Sequence, residues 1–257
     1  MTMTTLNLLT KINYSKQLKQ VDKTLKLTLK GLKVEAKILG VGTSGWVQLT
    51  LTGKDEGVAT SYLMKEIGVC PTSFKNLKEH AELKGYITNL ANSKIELSLD
   101  IGVFKPENVR ATLPLKCLQY QLLKGRKVAL KKMADLFGFC EGLPIKIKVT
   151  QLNGKKLKVE TELSENQKYV YDNWLASLLD RLLVLGPSLQ EIKRTINQAN
   201  LNRDVIDVEI LGLFEHVFTC KLGTNAAGLI PKIGRILKKA KFAVFSPKRL
   251  KQFLSPS

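Results

Sequence analysis

The last third of the chain carries an order of elements that few folds accommodate. "RLLVLG" is a short apolar strand, and "SLQE" after it pairs Ser188 with Glu191 as a capping box that opens a helix. Leu189, Ile192, Ile196 and Ala199 make one apolar face of that helix. "DVIDVEILG" and "EHVFTCKLG" alternate as two strands. "NAAGLIPKIGRILKKA" is a helix whose regular part starts at Pro231, because proline suits a first turn, with Ile233, Ile236 and Leu237 as its buried stripe. "KFAVFS" closes as a strand, and Ser246 and Pro247 open a short basic helix, Ser246 as its cap. The order is β-α-β-β-α-β.

That order is ferredoxin-like. The N-terminal region repeats most of it: a strand over 4–12, a helix through Leu18, Val21, Leu25 and Leu32, a hairpin of "KVEAKILG" and "WVQLTLTG" across "VGTSG", and a helix over 55–67. The two regions align. Ile38-Leu39-Gly40 falls on Ile210-Leu211-Gly212 and, after a gap, Val47 on Val217, Gly53 on Gly223 and Asp55 on Asn225, the last two as helix caps. An internal duplication follows as an expectation.

The middle is different. "ELKGYITNL", "SKIELSLDIG" and "VRATLPL" are three strands, "LKCLQYQLLKGRKVALKKMADLFGF" is helical with a break at Gly125, and "LPIKIKVTQL" and "KLKVETEL" are two strands joined at "NGK". Three strands, a helix and two strands is the OB order. "LKGYITNLANSKIELSLDIG" resembles the opening of an S1-type OB domain, without that family's aromatics on strands two and three. Ser164 and Gln167 of "SENQ" cap a linking helix that carries Val170, Trp174 and Leu178. The fold class expected is α+β, with ferredoxin-like modules at 1–75 and 181–257, an S1-like OB barrel at 80–163 and a linking helix at 164–180. Most of the chain also resembles an archaeal family of unknown function, through "SLDIG", "ATLPLKCLQYQLLKGRK", "NWLASLLDRLLVLG", "RDVIDVEILGLFEH" and "KLGTNAAGLIPKIG". That resemblance implies a domain of life and transfers no site residues.

Charge says most about function. The chain has 41 basic and 22 acidic residues, a net charge of +19. Lysines near phosphates release condensed counterions, so a polyanion, RNA or a ribonucleoprotein, is the expected partner. The residues expected to grip it are Arg126, Lys127, Lys131, Lys132, Lys146, Lys148, Lys155, Lys156 and Lys158 in the middle domain, and Arg235, Lys238, Lys239, Lys248 and Arg249 near the C-terminus. Lys146 and Lys148 share a strand face, with Lys155 and Lys156 at the adjoining hairpin, so the four are expected along one edge. Aromatics are 7% of residues, and Tyr86 and Phe104 are the stacking candidates. The setting expected is translation, RNA processing or transcription.

Enzyme signatures are absent: no GxGxxG after a strand, P-loop, HExxH or GxSxG occurs. Four cysteines without a CxxC pair, and two histidines, offer no zinc pattern. No cofactor or metal is expected, and the cysteines read as small buried hydrophobes of a reducing, cytoplasmic compartment. No apolar run is long enough for a membrane span. Asp204, Asp207, Glu209 and Glu215 are the one acidic cluster, readable as a magnesium site or as a polar strand face. "LGTNAAGLIPKIG", followed by Lys232 and Arg235, reads as an anion-binding helix start or as a plain turn and cap. Two other readings stand beside RNA binding: an enzyme acting on RNA or nucleotides through the acidic cluster or the 223–225 loop, and a protein–protein adaptor with a basic surface. Sequence leaves the oligomeric state open.

Overall fold

The computed structural model describes residues 3–255 and divides into two compact units. The first comprises residues 3–77 with 102–109. It runs β1 (Met3–Lys11), α1 (Lys16–Thr28), β2 (Val34–Val41), β3 (Trp46–Gly53), α2 (Glu56–Glu66) and the two-residue β4 (Thr72–Ser73). The sheet order is β1-β3-β2, all antiparallel, and a single antiparallel bridge sets Val69 against Leu8 on the free side of β1. This is the ferredoxin-like order with its fourth strand reduced to that bridge. α1 buries Val21 and Leu25. It stops at Thr28, and the Leu25–Leu29 segment that also alternates like a strand stays with the helix and its cap. Asp55 does not cap α2. Its carboxylate accepts from the Lys33 backbone N–H at 2.6 Å and pins the start of β2 instead.

The second unit comprises residues 78–101 and 110–255 of the described chain. Its first part is β5 (Glu82–Thr88), β6 (Glu96–Lys105), β7 (Val109–Pro114), α3 (Leu115–Leu123), α4 (Leu130–Phe137), β8 (Pro144–Asn153) and β9 (Lys158–Leu163). The neighbours run β6-β5-β8-β9-β7, and β7 pairs back with β6, so five strands close a barrel. β7 and β9 run parallel, and β5–β6, β5–β8 and β8–β9 run antiparallel, which is the OB arrangement. The helix break falls where expected: Lys124 and Gly125 both take positive φ and end α3.

α5 (Glu165–Ser177) follows, capped by Ser164, which accepts from Gln167 N–H. The Gln167 side chain accepts from the Lys146 backbone N–H and so ties α5 to β8. Then come β10 (Arg181–Leu185), α6 (Leu189–Gln198), β11 (Val205–Gly212), β12 (Glu215–Cys220), α7 (Ala226–Ile236), β13 (Lys241–Phe245) and α8 (Pro247–Leu254). The sheet order β11-β12-β10-β13 is the full ferredoxin-like one. The capping box of Ser188 and Glu191 is formed from both sides. α7 starts at Ala226 rather than at Pro231, because Asn225 accepts from Ala227 N–H and sets the first turn five residues earlier. Ile236 is 40% exposed and leaves the expected stripe, whereas Leu229 and Ile233 are buried against the sheet. Ser246 makes no side-chain cap to α8.

The hairpins of the two ferredoxin-like regions share a bulge. Ile38 faces Leu49 and Gly40 faces Gln48, while Ile210 faces His216 and Gly212 faces Glu215, each with one residue skipped. The return strands therefore correspond as Leu49 with His216, which displaces the Val47–Val217 alignment. Gly53 ends β3 at φ +144, opposite Val34, whereas Gly223 lies beyond β12 at φ +87. The two glycines are not equivalent.

Candidate nucleic-acid interface

Both faces of the C-terminal sheet are occupied. One packs on α6 and α7 through Leu182, Val184, Phe218, Ile192, Leu229 and Ile233. The other meets the barrel and α5: Phe245 lies 5.4 Å from Trp174 and 6.0 Å from Tyr171, ring centre to ring centre, and Leu183 packs against Gly138. Tyr86 points outward from the barrel on β5, into this joint. It is 1% exposed, and its hydroxyl donates to Glu215 at 3.4 Å. Tyr86 therefore offers no ring face to a base. Phe104, half-buried, belongs to the other unit.

Lys84, two residues before Tyr86, donates to the Leu211 carbonyl at 2.9 Å. Burial pushes its ammonium below the usual lysine range, against the opposing pull of Glu215. Burial also pushes the Glu215 carboxyl up to about 7. His216 is buried with Nε2 3.1 Å from the Pro187 carbonyl, and its ring is pushed down to about 4. A neutral ring with Nε2–H donating fits both facts. Glu209 accepts from Trp174 Nε1 at 3.2 Å and lies 3.6 Å from Arg181. Glu209 and Glu215 are thus engaged in separate structural contacts, and among the described residues no three potential ligands gather for a metal ion. The start of α7 is equally engaged, since Asp180 accepts from Ala226 N–H at 3.3 Å and Asn225 takes the next N–H. A plain cap accounts for that loop.

The expected basic residues fall into four places. Lys146 and Lys148 lie on the outer side of β8; Lys148 faces Glu82 on one neighbouring strand and Glu162 on the other. Lys155 and Lys156 are exposed in the β8–β9 hairpin, at the far end of the strand, roughly 23 Å from Lys146 by strand rise. The four do not make one edge. Lys158 pairs with Glu160 at 2.6 Å. Arg235, Lys238 and Lys239 sit at the end of α7, on the helical side of the sheet.

The fourth place brings two distant segments together. Arg126, Lys127, Lys131 and Lys132 are all exposed on the turn from α3 into α4. Arg126 Nη1 donates to the Phe253 carbonyl at 2.6 Å, and Lys132 Nζ stands 5.9 Å from the centre of the Phe253 ring. α8 also packs on α5 and buries Pro247 and Leu250, which leaves Lys248, Arg249 and Lys251 outward. The joined segments lie in the two longest runs of the sequence without an acid, 108–134 and 216–257. A folded basic surface results, with the exposed Asp135 at its α4 edge, and α8 of the terminal basic stretch is part of it. Sequence missed Tyr120, 78% exposed on α3 beside this corner, because its helical spacing alone did not show which α3 face meets solvent.

Comparison with known proteins places all three regions. The DUF2110 N-terminal domain matches residues 5–73, the DUF2110 central domain residues 77–175 and the DUF2110 C-terminal domain residues 179–245. No curated protein matches the chain. Among solved structures, an uncharacterized protein from Methanocaldococcus jannaschii is similar at 13% identity, over 35% of this chain and 95% of that one, with a TM-score of 0.24. A chain of the a/eIF2alpha–aDim2p–rRNA complex from Pyrococcus horikoshii OT3 shows 13% identity over 49% of this chain and 60% of its own, TM-score 0.23. The intact alpha subunit of aIF2 from Pyrococcus abyssi shows 9% identity over 66% and 97%, TM-score 0.23. At these scores nothing about function follows from the three likenesses.

Proposed function

The chain belongs to the DUF2110 family, and from that premise we propose that it is a non-catalytic protein that binds RNA, free or within a ribonucleoprotein, through the corner formed by the α3–α4 turn and α8. One observation carries this reading: the α3–α4 turn and α8, each within a long acid-free run of the sequence, are joined by the Arg126–Phe253 hydrogen bond, so the cations of these two segments share one surface. An exposed cluster in which cations outnumber acids attracts phosphates and gains from counterion release. The non-catalytic part rests on the candidate chemistry being structurally engaged. His216 is neutral and buried, Glu215 is closed in by Tyr86, and burial raises the Cys140 and Cys220 thiols to about 12 and about 11.

Fluorescence anisotropy with a short single-stranded RNA tests the reading. Affinity is expected to fall steeply from about 50 to about 200 mM salt, with a log–log slope of roughly −0.7 per phosphate neutralised. Binding that is absent at low salt, or that ignores salt, would refute it.

A further inference from the structure

Next to the basic corner runs a groove of about 910 Å³ lined by Ile95, Pro114, Tyr120 and Val128, with Lys116 and Lys127 on its rim. Tyr120 at 78% and Ile95 at 76% are the two most exposed large apolar side chains among the described residues. The groove is firmly built. Leu115 N–H donates to the Ile95 carbonyl at 2.8 Å, which fixes Ile95 beside the start of α3. Gln119 donates to the Val128 carbonyl at 2.8 Å and ties α3 to the segment before α4. Lys116 and Tyr120 stand four residues apart on one face of α3, both exposed, and the exposed Lys124 follows at the end of the helix. The one acid at the groove, Glu96, lies near enough to Lys158 for their charges to interact.

We infer that this groove takes an unpaired base of single-stranded RNA, stacked on Tyr120, with Lys116 and Lys127 on the flanking phosphates. The inference rests on the RNA-binding reading and adds to it the form of the RNA. An aromatic ring flanked by cations suits a nucleotide, whose planar base and charged phosphate lie a few ångströms apart. The cationic rim favours this occupant over an apolar segment of a protein. A duplex keeps its base faces hidden and can use the lysines only. Tyr86, the stacking candidate on β5, is enclosed and offers no alternative platform.

The test compares wild type, Tyr120→Ala and Tyr120→Trp on a single-stranded RNA and on the duplex of the same sequence. Tyr120→Ala is expected to weaken single-strand binding about tenfold, the effect of losing one stacked base, with duplex affinity and salt slope unchanged. Tyr120→Trp should retain affinity, and its emission should be quenched by the single strand. Trp46 and Trp174 are buried and give the wild-type background. Two results overturn the base pocket while leaving RNA binding intact: Tyr120→Ala binding the single strand as wild type does, or losing single-strand and duplex affinity equally. Wild-type protein that binds neither RNA at low salt overturns both proposals.

Discussion

The guanidinium of Arg126 donates to the carbonyl of Phe253 at 2.6 Å, so the turn after α3 holds α8 by its C-terminal end. That position also meets the negative end of the helix dipole, a structural reason for a cation there. Arg126 thus has one anchoring role, while its exposed neighbours Lys127 and Lys131 face solvent. Replacing Arg126 by Met should loosen α8, seen as faster limited proteolysis after Phe245, and should weaken RNA binding because the two basic segments no longer share a surface. Unchanged proteolysis would mean that the contact does not hold the helix.

Charge replacement on α8 is a cleaner probe than deletion, because Pro247 and Leu250 are buried. Lys248→Gln, Arg249→Gln and Lys251→Gln together should weaken RNA binding by roughly tenfold or more at low salt and flatten the salt slope. The melting temperature should stay within a few degrees, since all three side chains are exposed. Full affinity in this variant would make these charges a solvated face only.

Position should matter more than charge count. Lys124→Gln, Lys127→Gln and Lys131→Gln remove cations from the basic corner, where they outnumber acids, and should cost tenfold or more in affinity. Lys146→Gln with Lys148→Gln should cost about twofold or less, because Lys148 is already faced by Glu82 and Glu162. Equal losses per charge removed in the two sets would show that only overall charge counts.

Glu215 and His216 set opposing pH slopes. The folded protein keeps the Glu215 proton up to about pH 7, against an ordinary 4.5. Its contribution to stability is therefore full below about pH 4.5 and lost as pH rises through 7. The His216 ring is held down to about 4 from 6.5, so its contribution is present above 6.5 and lost as pH falls through 4. Glu215→Gln should leave the histidine slope exposed, with a melting temperature that climbs from pH 4 to 6.5 more steeply than in wild type. His216→Gln should do the reverse from pH 4.5 to 7. Profiles that superimpose on wild type would refute both assignments.

The two glycines aligned by sequence should respond differently to alanine. A Cβ at Gly53 would stand 2.3 Å from the Lys33 carbonyl oxygen, on a backbone at φ +144. Gly53→Ala should destabilise the first unit by about 3 kcal/mol or more, since both clash and strain apply. Gly223 has φ +87 and nothing within 4 Å of a Cβ, so Gly223→Ala should cost about 1 kcal/mol. Denaturant melts of the two variants distinguish these values.

Local chemistry was the legible part of the sequence. Ser188 and Glu191 signal their helix start by side chains that need only their own backbone, and the break at Gly125 follows from the same kind of rule. Strand alternation gave the OB and ferredoxin-like orders, and it marked Tyr86 only as a stacking candidate. It could not show that the outside of β5 is roofed by β12, because that depends on a partner some 130 residues away, which Glu215 marks. The basic corner was half legible: both runs of cations are plain in the text, and their meeting through Arg126 and Phe253 is not. Asp55 shows the converse, a residue of capping type whose nearest unsatisfied donor was the Lys33 N–H of another element.

The second face of the C-terminal sheet is completed by Tyr171, Trp174 and Gly138, none of which lies within the ferredoxin-like region itself. That bears on heredity as much as on structure. A copy of this region moved into another protein would arrive with Leu183 and Phe245 uncovered, and would need new neighbours before it could persist. The barrel and the last module are therefore bound to be inherited as a pair, although the chain spells them as two.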